Sequence, residues 1–220
     1  MLRVKVCGNR SKEDLEISLA MGADAVGFIV GIRHRSEDAI SPELAAELLG
    51  FVPIFVTSVL VTHLITASEI LDTHDQVPTQ AIQLHDDIPV DEILALRNRL
   101  PHVALIKAIG IVDESSIDAA HHVEPLVDAL LLDSRTSDRI GGTGRVHDWS
   151  VSRRIADTAR VPVILAGGLT PENVHSAIEA VRPYGVDANS GLELPDGRKD
   201  PTRVRDFVIR AKSHPVVELP

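Results

Sequence analysis

Cys7 ends a short apolar run at residues 3–7 and is followed directly by Gly8. A thiol that reaches its thiolate form is a competent proton acceptor, so this position offers a general base. A single cysteine in a strand is as a rule an inert buried thiol; its place at the carboxyl end of the run is what argues for chemistry. Leu131-Leu132-Asp133 makes the complementary offer. A carboxyl group directly after an apolar run often only starts a loop, but at a cavity mouth it can serve as a general acid. Three glycine-bearing stretches come late in the chain: Gly141-Gly142-Thr143-Gly144, Ala166-Gly167-Gly168-Leu169 and Asp187-Ala188-Asn189-Ser190-Gly191. Without a Cβ, glycine lets backbone N–H groups come close to an anion. One such loop is an ordinary turn; three that converge describe a phosphate cradle of backbone amides and a helix N-terminus. None is a Walker loop, because Gly-Lys-Ser/Thr is absent.

Ten histidines invite a metal reading, but none has a ligand spacing such as His-x-x-x-His on a helix, and His85-Asp86-Asp87 is the best local cluster. No metal is expected. Lys107, inside an apolar run, is the one lysine worth weighing as a Schiff-base nucleophile. An ion-paired strand residue is the simpler account of it.

These groups need elements to bring them together. Apolar, β-branched runs fall at about 3–7, 25–30, 54–61, 80–84, 103–109, 129–132, 161–166 and 185–188. Helix-period segments follow each of them. Ser11 before Glu13-Asp14, Ser41 before Pro42, and Thr170 before Pro171 read as helix starts. Further helices are expected at about 67–73, 90–100, 114–122, 149–159 and 201–212. Eight strand–helix units predict a parallel sheet closed into a (β/α)₈ barrel, a TIM barrel, as one domain over residues 1–220. A doubly wound open sheet would use fewer strands and put its glycine-rich loop after the first. In a barrel the active site lies at the carboxyl ends of the strands, with phosphate held after strands seven and eight.

Composition sets outer bounds. The chain has 220 residues, 44% hydrophobic and 25% charged, with only 3% aromatic, so the core must be aliphatic. A formal net charge of −10 argues against binding nucleic acid or an anionic membrane. One cysteine excludes an internal disulfide. The start lacks the apolar stretch of a secretory signal, and no run is long enough to span a membrane, so a cytoplasmic protein is expected. A monomer and a homodimer are both compatible with the sequence.

The motifs resemble, in order over nearly the whole chain, those of phosphoribosylanthranilate isomerases of tryptophan biosynthesis. They are Lys5-Val6-Cys7-Gly8 with Glu13-Asp14; Gly22-Ala23-Asp24-Ala25-Val26-Gly27-Phe28; Ile82-Gln83-Leu84-His85; Leu131-Leu132-Asp133 with Gly141-Gly142-Thr143-Gly144 and Asp148-Trp149; residues 164–174; and Gly185-Val186-Asp187, Ser190-Gly191-Leu192-Glu193 and Gly197-Arg198-Lys199-Asp200. The resemblance implies an Amadori rearrangement of a phosphorylated aminoaldose without a cofactor. It implies Asp133 as general acid and Cys7 as general base. It also implies Gln83, His85 and Asp187 at the substrate, and Gly142, Thr143, Gly144, Gly167, Gly168, Ser190 and Gly191 at the phosphate.

The chain departs from the family pattern at four places, and the changes cluster in loops two to four, on the half that should meet the aglycone. The segment after strand two, residues 31–42, is about two residues longer and lacks the family's Ser-x-Arg, whose Arg binds the anthranilate carboxylate; Arg33 or Arg35 would have to supply the guanidinium. Thr62-His63 stands where Val-Asn is usual, Asp86 where Gly is usual, and Ala188-Asn189 where Val-Ser is usual. The alternatives are a divergent paralogue acting on another phosphorylated amino-sugar, and a barrel that binds a phosphometabolite without turning it over. Retention of both Cys7 and Asp133 speaks against the second.

Overall fold

The computed structural model describes residues 2–33, 37–134 and 149–213. Eight parallel strands close into a ring in chain order: β1 (Arg3–Val6), β2 (Ala25–Ile29), β3 (Thr57–Thr62), β4 (Ala81–Leu84), β5 (Ala104–Ile111), β6 (Ala129–Ser134), β7 (Val163–Leu165) and β8 (Gly185–Ala188). Helices follow the strands: α1 (Lys12–Ala20), α2 (Pro42–Leu49), α3 (Ala67–Gln76), α4 (Val90–Arg99), α5 (Ser115–Val123), α6 (Trp149–Thr158), α7 (Val174–Val181) and α8 (Pro201–Lys212). This is the (β/α)₈ barrel that the alternation predicts.

Strand residues alternate between two cores, as a period of two requires. Val59, Val61, Ile106, Ala108, Leu131 and Ala166 fill the barrel, while Leu60, Leu105, Leu130, Leu132 and Leu165 face the helices. Helix starts are set by short polar side chains. Ser11 Oγ accepts from Asp14 N at 3.1 Å, Ser41 Oγ from Leu44 N at 3.3 Å, and Asp200 Oδ1 from Thr202 N at 2.8 Å with Pro201 in the first turn. Each cap stops a loop and starts a helix, and so fixes the length of the connection that must carry a functional group.

Some boundaries differ from the sequence reading. β3 begins at Thr57, because Ile54 and Phe55 are 83% and 93% exposed in the preceding turn. β7 is only three residues long, since Pro162 cannot donate to a ladder; its carbonyl accepts from Leu130 N instead. β6 runs two residues further than expected, so Asp133 lies within the strand and pairs in register with Gly110. Thr170-Pro171 opens a turn and α7 starts only at Val174. There Asn173 Oδ1 accepts from Thr170 N at 2.8 Å and Thr170 Oγ1 from Glu172 N at 3.2 Å, which closes the turn before a helix can begin.

Candidate functional site

Inward-pointing positions change from aliphatic to polar at the carboxyl end of the barrel. On β1 the inward residue is Lys5, followed after the strand by Cys7. Cys7 N still donates to Ala188 O at 3.0 Å, which holds the thiol at the rim. Both side chains lie against Gly27 of β2: a Cβ there would sit 2.9 Å from Cys7 Sγ and 3.2 Å from Lys5 Nζ. Asp187 of β8 is in register with Lys5, and its Oδ2 is 2.9 Å from Lys5 Nζ. All three are nearly fully buried. Burial pushes the Cys7 thiol above its ordinary value; Lys5 opposes that push, Asp187 adds to it and Lys199 opposes it. Lys5 loses charge stability by burial but gains more from Asp187 and Cys7, so its ammonium is held above its ordinary value.

Across the mouth lies the carboxyl of Asp133 on β6. His85, just past β4, turns Nε2 to within 3.7 Å of Asp133 Oδ2. The Gln83 amide Nε2 lies 3.2 Å from His85 Nδ1, which fixes the ring with its other nitrogen toward Asp133. His63, after β3, stacks on His85 with centroids 4.7 Å apart and has Nδ1 3.0 Å from Asp86 Oδ1. Two buried acceptors, Asp187 Oδ1 and Gln83 Oε1, have no hydrogen-bond partner among the described residues. Both residues line the same cavity as Cys7 and Asp133. Unmet acceptors facing a cavity are matched by a ligand rich in hydroxyl groups.

The third wall is backbone. Gly167 and Gly168 follow β7 at φ +81° and +66°, a path that only glycine takes at little cost. Ser190 and Gly191 follow β8 in a 3₁₀ turn, Ser190–Leu192. The two loops touch so closely that a Cβ on Gly191 would lie 2.0 Å from Leu169 O. Beside them Asn189 ties three segments. Its Nδ2 donates to Asp38 Oδ2 at 2.9 Å, and its Oδ1 accepts from the buried Lys199 Nζ at 2.6 Å. Lys199 Nζ also meets Glu193 Oε1 at 2.9 Å. Asn189 is therefore engaged by the β2–α2 connection and by Lys199.

Of the residues expected from sequence, Cys7, Gln83, His85, Asp133, Gly167, Gly168, Asp187, Ser190 and Gly191 line one cavity. Arg33 does not line it and is exposed. Arg35, Gly142, Thr143 and Gly144 lie outside the described residues. The sequence reading missed Lys5, Asp38 and His63. Lys5 was hidden inside a strand-like run; the signal for it was inward parity with Cys7. Lys107 has the opposite parity: its β5 neighbours Ile106 and Ala108 fill the barrel, and its Nζ donates to Ala108 O at 2.5 Å. Among the described residues, no three His, Cys, Asp or Glu side chains gather as a metal site, and no helix is long and apolar enough to cross a membrane.

A barrel with a thiol, a carboxyl and glycine loops at one mouth matches a known family over most of its length. The family model for N-(5'-phosphoribosyl)anthranilate (PRA) isomerase covers residues 4–210. The chain belongs to this family. It is 44% identical to N-(5'-phosphoribosyl)anthranilate isomerase 2 of Methanosarcina mazei, over 96% of this chain and 95% of that one. It is 43% identical to the isomerase of Halobacterium salinarum, over 98% of each. Among solved structures, phosphoribosyl anthranilate isomerase from Thermotoga maritima superposes with a TM-score of 0.86 at 37% identity, over 97% of this chain and 100% of that one. A second, in complex with reduced 1-(o-carboxyphenylamino)-1-deoxyribulose 5-phosphate, gives 0.83 at 36% identity with the same coverage. Family membership makes this chain an isomerase of tryptophan biosynthesis.

Proposed function

We propose that the chain converts N-(5'-phosphoribosyl)anthranilate to 1-(o-carboxyphenylamino)-1-deoxyribulose 5-phosphate by acid–base catalysis at this cavity. The observation that carries the reading is the shared cavity of Cys7, just past β1, and Asp133 on β6, with the glycine loops after β7 and β8 between them. Asp133 gives its proton to the furanose ring oxygen, and the C1–O bond breaks to leave a Schiff base. Cys7 as thiolate takes the proton from the sugar's second carbon, and the electron pair moves to form the enolamine. The enolamine becomes the aminoketose when a proton returns to C1. Gln83 Oε1 and Asp187 Oδ1 accept from sugar hydroxyls, and His85 orients the Asp133 carboxyl. The phosphate rests on the N–H groups of Gly167, Gly168, Ser190 and Gly191, and the reading extends this cradle to Gly142, Thr143 and Gly144; with Arg33 outside the cavity, Arg35 is the candidate for the aglycone carboxylate. The relatives give no support to a non-catalytic binder or to another amino-sugar substrate.

Turnover of phosphoribosylanthranilate, followed by the loss of anthranilate fluorescence, tests this. Cys7→Ser and Asp133→Asn should each lower kcat by about 10² or more, with the fold intact by circular dichroism. Near-normal kcat in either variant removes that residue from the mechanism.

A further inference from the structure

Cys7 is an awkward base. The thiol is 5% exposed, and burial alone disfavours the charge it must carry. The chain nonetheless places a lysine two residues away on the same inward face, 4% exposed and with Nζ against the same glycine as the sulfur. Burying a lysine is costly, and here its one carboxylate partner, Asp187, meets it through Oδ2 alone while Oδ1 has no partner. An ion pair serving only to fill the barrel would be matched on both oxygens or replaced by aliphatic side chains, as at the other inward positions Val59, Ile106 and Leu131.

We propose that Lys5 is a positioning residue for the base: its ammonium, anchored by Asp187, is the fixed positive charge against which the Cys7 thiolate forms. This rests on the reading of Cys7 as the base. The other groups bearing on the thiol are few. From β8 and the segment after it come Asp187 and Lys199, and from the connection after β2 comes Asp38; the cavity is also lined by His63, His85 and Asp133. The inward positions toward the mouth on β2, on β7 and just past β7 are Gly27, Ile29, Ile164 and Ala166, which carry no charge. Lys5 and Asp187 are therefore opposed: the cation favours thiolate and the anion disfavours it.

The opposition gives a test with two signs. Cys7 is the only cysteine in the chain, so the ultraviolet absorbance difference between each variant and the same variant carrying Cys7→Ser, followed against pH, reports its thiolate with the Tyr184 phenolate cancelled and no substrate present. Lys5→Met should move the thiol midpoint up, so that the thiolate fraction at a fixed pH below it falls roughly tenfold, the equivalent of one unit. Asp187→Asn should move it down, and Lys5→Arg should stay close to the parent. The alkaline-going limb of kcat/KM should move with the absorbance. If Lys5→Met does not fold, Asp187→Asn still carries the test. An unmoved or raised midpoint in Asp187→Asn, or an unmoved one in folded Lys5→Met, overturns the proposal. Full turnover by Cys7→Ser would overturn the base reading, and this proposal with it, whatever the titrations show.

Discussion

A thiol that holds its proton more tightly when folded than when unfolded leaves a mark on stability. Below the ordinary thiol value of 9.0 both states keep the proton and the folded protein has the full benefit. As the pH rises past that value the unfolded chain releases its proton first, so unfolding becomes easier until the folded thiol also titrates. Lys5, also held above its ordinary 10.5, acts in the same direction at higher pH. The urea midpoint should therefore fall above about pH 9, and Cys7→Ser should flatten the first part of that fall. An identical alkaline slope in the variant would show that the thiol is not displaced by burial. At this scale the sequence was legible where a residue stood at a strand's end. Cys7 and Asp133 stood out because each breaks an apolar run. Lys5 did not, because a lysine within a strand reads as its solvent face; only ring closure, which puts Asp187 of β8 beside it, makes that lysine internal.

Elements were legible to the extent that local chemistry sets them. The caps at Ser11 and Ser41 were read correctly because one side-chain oxygen and one N–H decide them. Thr170 was misread as a cap, because the competing bonds of Asn173 close a turn whose endpoint depends on where β7 delivers the chain. The loops after β7 and β8 were legible as glycines, but the sequence could not say that they touch. Gly191 packs so tightly on Leu169 O that a methyl group must push the β7 and β8 loops apart. Gly191→Ala should cost roughly 1–3 kcal/mol of stability, as overpacking does. It should also raise KM for phosphoribosylanthranilate at least about tenfold, the equivalent of ~1.4 kcal/mol of lost binding. A KM within twofold of the parent would mean that the two loops do not bind the phosphate jointly. The departure at Asn189 gains its meaning here too, since its amide joins Asp38 of the β2–α2 connection to the β8 loop.

The whole molecule depends on joining its last strand to its first, and the seam is polar as well as laddered. β8 pairs with β1 from Arg3↔Gly185 to Val6↔Ala188. Beyond the ladder, Lys199 N donates to Asp14 Oδ1 of α1 at 2.8 Å, and Lys212 of α8 pairs with Asp24 at 3.0 Å. Lys199 has a fully buried side chain whose ammonium joins Asn189 and Glu193. Breaking a buried pair from one side leaves the other charge stranded, so Lys199→Met should cost about 3–5 kcal/mol near neutral pH. Glu193 already titrates above the ordinary carboxyl value, burial outweighing the pull of Lys199. Without that lysine the carboxyl loses the charge that pulls its titration down, so it takes up a proton more readily as the pH falls and the stranded charge disappears. The deficit of Lys199→Met should thus shrink as the pH is lowered, and Lys199→Met/Glu193→Gln should recover much of it at neutral pH. Urea denaturation of the parent and both variants at the two pH values measures this directly. A deficit that is the same at both, and that the double variant does not relieve, would place the cost in lost packing along the Lys199 stem and would remove the ion pair from the forces that close the barrel.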